Sequence, residues 1–301
     1  EQEASTATKA QKPQLQPYRW PLYAPAILPP RSESGIDMKV ISIETGHLKL
    51  DGGAMFGVVP KTIWNKMIPA DDNNLCSWTM RCLLVDTGEK VILIDTGLGD
   101  KQDERFFSHY FLHGEATLMS SLAEAGYTPE SITDVLLTHF HFDHVGGAVK
   151  KNADGTLTPA FPNAKYWTTL RHYNWAFTPN ARERASFLKE NFVPLLDSKV
   201  LHFIPEEEGY VWDKNIRIRL SYGHTESMML PEIRINDDVT LIYAADLIPS
   251  AHHVGLPYIM GYDIRPLVTL EEKTAFLTDV AQKSSYLLLK HNIDTQPTTV
   301  K

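Results

Sequence analysis

The chain has 301 residues, 43% hydrophobic and 22% charged, enough to bury one large core or two smaller ones. Its 37 acidic against 29 basic residues give a formal charge of −8. No basic run of the kind that displaces counterions is present, which weighs against a nucleic-acid or anionic-membrane partner. Likewise no apolar run approaches the roughly 20 residues that span a bilayer. Cys76 and Cys82 match neither a disulfide framework nor a zinc knuckle, which favours a reducing, cytoplasmic setting. A periplasmic or secreted one applies instead if a signal peptide has been removed, since the chain does not begin with Met.

Residues 1–37 carry Pro13, Pro17, Pro21, Pro25, Pro29 and Pro30 and read as an extended tail, linker or leader. Residues 38–301 read as one domain. KVISIETGHLKLDGG (39–53) alternates as a strand pair ending in a Gly turn. TMRCLLVD (79–86) and KVILIDTG (90–97) are strands joined by a short turn. EATLMSSLAEAG (115–126) has helical spacing and stops at Gly126. ITDVLLT (132–138) is a short apolar strand, and NARERASFLKENFVPLL (180–196) an amphipathic helix interrupted near Pro194. IRIRLS (216–221), VTLIYAAD (239–246) and SYLLLKH (285–291) read as strands. TLEEKTAFLTDVAQK (269–283) reads as a helix opened by a Thr269–Glu272 capping box. Strands and helices interleave throughout, which predicts an α/β or α+β fold with helices covering sheets.

Chemistry concentrates in THFHFDHVGG (138–147). His139, His141, Asp143 and His144 leave the end of an apolar strand and are closed by Gly146 and Gly147. Imidazole and carboxylate donors suit zinc and related divalent ions. Two histidines and an Asp-His pair exceed what one tetrahedral ion uses while keeping a position open for water, so the chain should hold further donors for two ions. His224 in YGHTES, Asp246 in YAAD and His291 in LLKH each end an apolar strand, where α/β sheets gather their ligands.

In this order, HxHxDH at 139–144, GHT at 223–225, Asp246 and His291 resemble the metallo-β-lactamase fold superfamily. DGGAMFGVVPK (51–61), RCLLVDTGEKVILIDTGLGDK (81–101) and AADLIPSAHHVGLPYIMGYD (244–263) resemble its branch of N-acyl-homoserine lactonases and methyl parathion hydrolase. The resemblance implies a four-layer αββα sandwich with a binuclear centre at one edge. His139, His141 and His224 would hold one ion, Asp143, His144 and His291 the second, and Asp246 would bridge. A hydroxide shared by the ions would be the nucleophile, and Asp143 or Asp246 would relay the proton. Zinc is the first choice, with iron, manganese or cobalt fitting the same donors. Asp95 would orient a ligand from behind.

The resemblance points to a lactone or related ester as substrate. Three rivals remain: a phosphotriesterase acting on an organophosphate, a thioesterase resembling glyoxalase II, and a non-catalytic metal-binding scaffold. A homodimer is left open. No cysteine stands where several zinc β-lactamases place one, and His141 stands where diiron electron-transfer relatives carry Glu, so antibiotic hydrolysis and redox work are disfavoured. The other seven histidines are read as structural, with His253 a candidate pocket residue. MFGVVPKTIW (55–64), HYNWAF (172–177) and HHVGLPYIM (252–260) are read either as core or as an apolar pocket rim. Two departures stand out. Pro249 replaces the tyrosine that lactonases carry three positions after the bridging Asp, leaving an assist to metal or to a residue such as Tyr258. Ser227 stands where the relatives have Gly, which predicts an altered turn.

Overall fold

The computed structural model describes residues 15–17, 38–283, 285–293 and 298–300. Two large sheets face each other. The first has six strands, in the order Leu201–Ile204, Lys165–Thr169, Asp134–Leu136, Val91–Ile94, Cys82–Asp86 and Lys39–Ile43. The second has seven: Leu15–Pro17, Thr298–Val300, Tyr286–Leu288, Thr240–Tyr243, Met228–Arg234, Ile216–Ser221 and Tyr210–Asp213. Most of the proline-rich segment 1–37 lies outside the described residues; its strand Leu15–Pro17 pairs antiparallel with Thr298–Val300.

Strand alternation makes both faces of the first sheet apolar. Val40, Leu83, Val85, Ile92 and Ile94 point into the space between the sheets, against Ile216, Ile218, Leu230 and Ile242. Ile41, Ile43, Cys82, Leu84 and Leu93 point outward, where Leu118 and Leu122 of helix Leu118–Glu124 cover them. Thr117 and Ser120 form a reciprocal capping box at the start of that helix. Helix Pro266–Lys283 covers the second sheet, with Arg219 bonded to Asp279 and its guanidinium over the Phe276 ring. The layers therefore run helix, sheet, sheet, helix, as predicted.

Several local expectations are corrected. Lys39–Ile43 and His47–Asp51 are strands but do not pair with each other: the first joins Cys82–Asp86 and the second Leu75–Thr79. Gly52 and Gly53 open a short helix capped by the Asp51 carboxylate rather than turning a hairpin. Residues 180–196 form no continuous helix. Turns run to residue 186, and the short helix Val193–Asp197 begins with Pro194 in its first turn, where proline's missing N–H costs nothing. The last long helix starts at Pro266, so Thr269 lies within it and its N–H bonds the Arg265 carbonyl. Glu272 caps no helix. It accepts from Ser221 Oγ at 2.7 Å, Tyr222 N at 2.7 Å and Gly223 N at 3.1 Å, pinning the strand exit that delivers His224.

Candidate metal centre

All seven proposed donors gather where strands of the two sheets end. The loop after Asp134–Leu136 is held from three sides. Thr138 N donates to Asp95 Oδ1 (2.8 Å), Phe140 N to His172 Nε2 (2.8 Å) and Phe142 N to the Ser186 carbonyl (3.0 Å). His141 exits in extended backbone, and the single turn Phe142–Val145 then presents Asp143 and His144. A Cβ on Gly146 would collide with the Leu98 carbonyl, so the glycine allows the loop to close on that segment. His224, Asp246 and His291 follow Ile216–Ser221, Thr240–Tyr243 and Tyr286–Leu288. His291 N donates to the Pro249 carbonyl (2.9 Å), and Lys290 Nζ to the Asp143 carbonyl (2.8 Å).

The donors form two groups, His139–His141–His224–Asp246 and Asp143–His144–His291, each with its ligand atoms within 4.8 Å of one another. Asp246 joins them. Its Oδ2 lies 3.2 Å from His224 Nε2, and its Oδ1 lies 3.1 Å from His144 Nε2 and 3.3 Å from His291 Nε2. The outward ring nitrogens meet acceptors: His144 Nδ1 meets Asp95 (2.7 Å), His224 Nδ1 meets Asp263 (2.7 Å) and His291 Nδ1 meets the Thr79 carbonyl (2.7 Å). His139 Nδ1 meets Thr138 Oγ1 (3.1 Å), whose own proton goes to Asp95.

With their protons outward, neutral rings turn lone pairs inward. His141 Nδ1 sits 3.1 Å from both His139 Nε2 and His224 Nε2. His144 Nε2 and Asp246 Oδ1 are buried and satisfy no hydrogen bond. Acceptors converging on acceptors are costly without a cation between them, so these residues fit divalent ions. Titration agrees. Burial, with neighbouring histidines, drives His139 well below the usual histidine range. Burial also acts against charging His224, but Asp246 and Asp263 outweigh it and raise that ring to about 10; an ion there would displace the proton.

Above the donors lies a cavity of about 380 Å³. Leu50, Met55, Phe142 and Met260 form its apolar wall, while Tyr110, Arg182 and Tyr262 supply polar groups. Of the aromatic stretches, Met55 and Met260 reach the pocket, whereas Phe56 and Trp64 are core. Tyr258 is not among the lining residues and packs edge-on against Phe56. His253 is structural: it stacks on Phe56, with Ser250 Oγ and the Met55 carbonyl as ring partners, and burial lowers it to about 3. Ser227 takes the left-handed conformation (φ 53°), which glycine enters at less cost, and its Oγ is bonded to Thr169 Oγ1 at 2.9 Å.

Two carboxylates, Asp263 and Glu183, escape sequence reasoning, and one of the histidines read as structural, His172, supports the donor loop. His172 is fully buried between Phe140 N and the Glu226 carbonyl, and burial lowers it to about 4. Asp263 backs His224. Glu183 lines the pocket with Oε1 3.6 Å from His141 Nε2. The only sequence signal for the two carboxylates was an acidic residue inside an otherwise apolar or turn-rich stretch, which is too common to single either out.

Residues 81–216 match the family model of the metallo-beta-lactamase superfamily. Over that stretch, a little under half of its length, the chain is similar to the superfamily. The match covers the 139–144 cluster, while His224, Asp246 and His291 lie C-terminal to it. An N-acyl homoserine lactonase of Bacillus cereus is 29% identical over 162 residues, 50% of this chain and 57% of the lactonase. The chain thus spans little more than half the length of that relative. A solved structure of a probable metal-dependent hydrolase from Staphylococcus aureus is 25% identical, with a TM-score of 0.79 over 87% of this chain and 91% of that one. A dizinc quorum-quenching lactonase in complex with a product shares the fold, with a TM-score of 0.70 at 21% identity over 87% and 90% of the two chains. No helix among the described residues is long and apolar enough to cross a membrane.

Proposed function

We propose that the chain is a metal-dependent hydrolase that holds two divalent ions, zinc first, and opens lactones or related carboxylic esters. The observation that carries this reading is Asp246, one carboxylate oxygen turned toward each donor group at the floor of the pocket. His139, His141 and His224 would hold one ion and Asp143, His144 and His291 the other. Such a pair, when bound, supplies a nucleophilic water at neutral pH and a Lewis acid for the substrate carbonyl oxygen. Asp143 and Asp246 both line the pocket. Either accepts the proton of the attacking water and returns it to the leaving alkoxide, so lactone and water leave as a hydroxy acid. Leu50, Met55, Phe142 and Met260 give an acyl chain an apolar wall. Support also comes from the Bacillus cereus relative, an N-acyl homoserine lactonase.

The test combines metal quantification with turnover. The purified chain should retain close to two zinc equivalents and hydrolyse acyl lactones with a kcat/KM well above that for an aryl phosphotriester. A chelator should abolish the activity and zinc restore it. A zinc-loaded chain that opens no lactone would overturn the assignment, and faster phosphotriester turnover would replace it with phosphoryl chemistry.

A further inference from the structure

Four of the five imidazoles have an outward nitrogen within hydrogen-bond distance of an acceptor; His141 is the exception. Its Nε2 is buried and makes no hydrogen bond, and Glu183 Oε1 faces it at 3.6 Å. Glu183 is itself only 3% exposed. Its carboxylate accepts from Thr225 Oγ1 at 2.6 Å, Trp175 Nε1 at 2.8 Å and Asn180 Nδ2 at 2.6 Å. All three donors are neutral groups, so they satisfy the carboxylate's lone pairs without a countercharge. The turn carrying it is fixed too: Asn180 Oδ1 accepts from the backbone N–H of Arg182 and Glu183, and Arg182 bonds the carbonyls of Gly261 and Asp263.

A carboxylate facing a ring nitrogen repels a lone pair and attracts an N–H. It therefore selects the tautomer of His141 protonated at Nε2, which leaves the Nδ1 lone pair aimed at His139 Nε2 and His224 Nε2. Resting on the metal-dependent reading above, we propose that Glu183 is the positioning residue of the His139–His141–His224 ion, holding His141 in that tautomer from within the pocket wall. Thr225, next to ligand His224, ties the same carboxylate to a second ligand segment, so His141 and His224 are set by one buried group.

Two measurements on the full chain loaded with zinc test this. Two-bond ¹⁵N–¹H imidazole spectra should show His141 protonated at Nε2. Competition against a chelator should show zinc binding about 10–100-fold weaker in Glu183→Ala. Glu183→Gln should fall between that variant and the wild type, because its amide oxygen can still accept. Equal zinc affinity in all three proteins would overturn the proposal, as would His141 protonated at Nδ1. If Glu183→Ala fails to fold, the Gln variant and the wild-type spectrum decide it. A wild-type chain holding less than one zinc would instead remove the hydrolase reading, and this inference with it.

Discussion

At the scale of single residues, Asp95 illustrates how much of a candidate metal site lies behind its donors. Its carboxylate accepts from Thr138 N at 2.8 Å, from Thr138 Oγ1 at 3.0 Å and from His144 Nδ1 at 2.7 Å. It therefore fixes the strand exit, the hydroxyl behind His139 and the ring of His144 together. Its backbone is left-handed (φ 60°), a conformation that aspartate and asparagine tolerate better than other non-glycine residues. Asp95→Asn should keep that conformation while removing the charge, isolating the carboxylate's effect on the ligands. Zinc affinity is expected to fall about 10–100-fold, with far-UV circular dichroism unchanged. Chelator competition measures it, and wild-type affinity in the variant would show that Asp95 only closes its turn.

At the scale of elements, the failures of pattern reading mark where tertiary contacts override periodicity. The Thr269–Glu272 spacing fits a capping box, yet Pro266 starts the helix a turn earlier and frees Glu272 to hold the exit of Ile216–Ser221. Glu272→Ala leaves the Tyr222 and Gly223 N–H groups and the Ser221 hydroxyl without that partner. The expected cost is about 1–3 kcal/mol in denaturant unfolding, with a drop in activity because His224 follows directly. A loss of stability at full activity would show that the helix, rather than Glu272, sets the loop. The 139–144 donors were legible because neighbouring residues on one strand exit stay neighbours in space. His224, Asp246 and His291 were legible because each ends an apolar strand. Glu183 and Asp263 were not, since they reach the site from turns whose course depends on packing. The apolar spacing of Phe187, Phe192 and Leu195 records burial in the core, which turns and a short helix satisfy as well as a long helix would.

At the scale of the whole molecule, the candidate centre straddles the two sheets. His139, His141, Asp143 and His144 belong to the loop after a strand of the first sheet, and His224, Asp246 and His291 follow strands of the second. Ions held there would link the two layers at their edge, and the unfolded chain would offer no such constellation. Metal binding should therefore appear as global stability. At free zinc about 100-fold above its dissociation constant the gain is about 2.7 kcal/mol for one site. For a chain of this size that corresponds to a rise in Tm of about 4 °C. Differential scanning calorimetry with and without a chelator measures it, and Tm should keep climbing with the logarithm of zinc concentration. Asp246→Asn separates a spanning centre from two independent surface sites, because Asp246 turns one carboxylate oxygen toward each group. In that variant the zinc-dependent shift should shrink to a small fraction of the wild-type value. A full shift retained without the Asp246 charge would mean that the ions stabilise each sheet separately, and the bridging role of Asp246 would have to be given up.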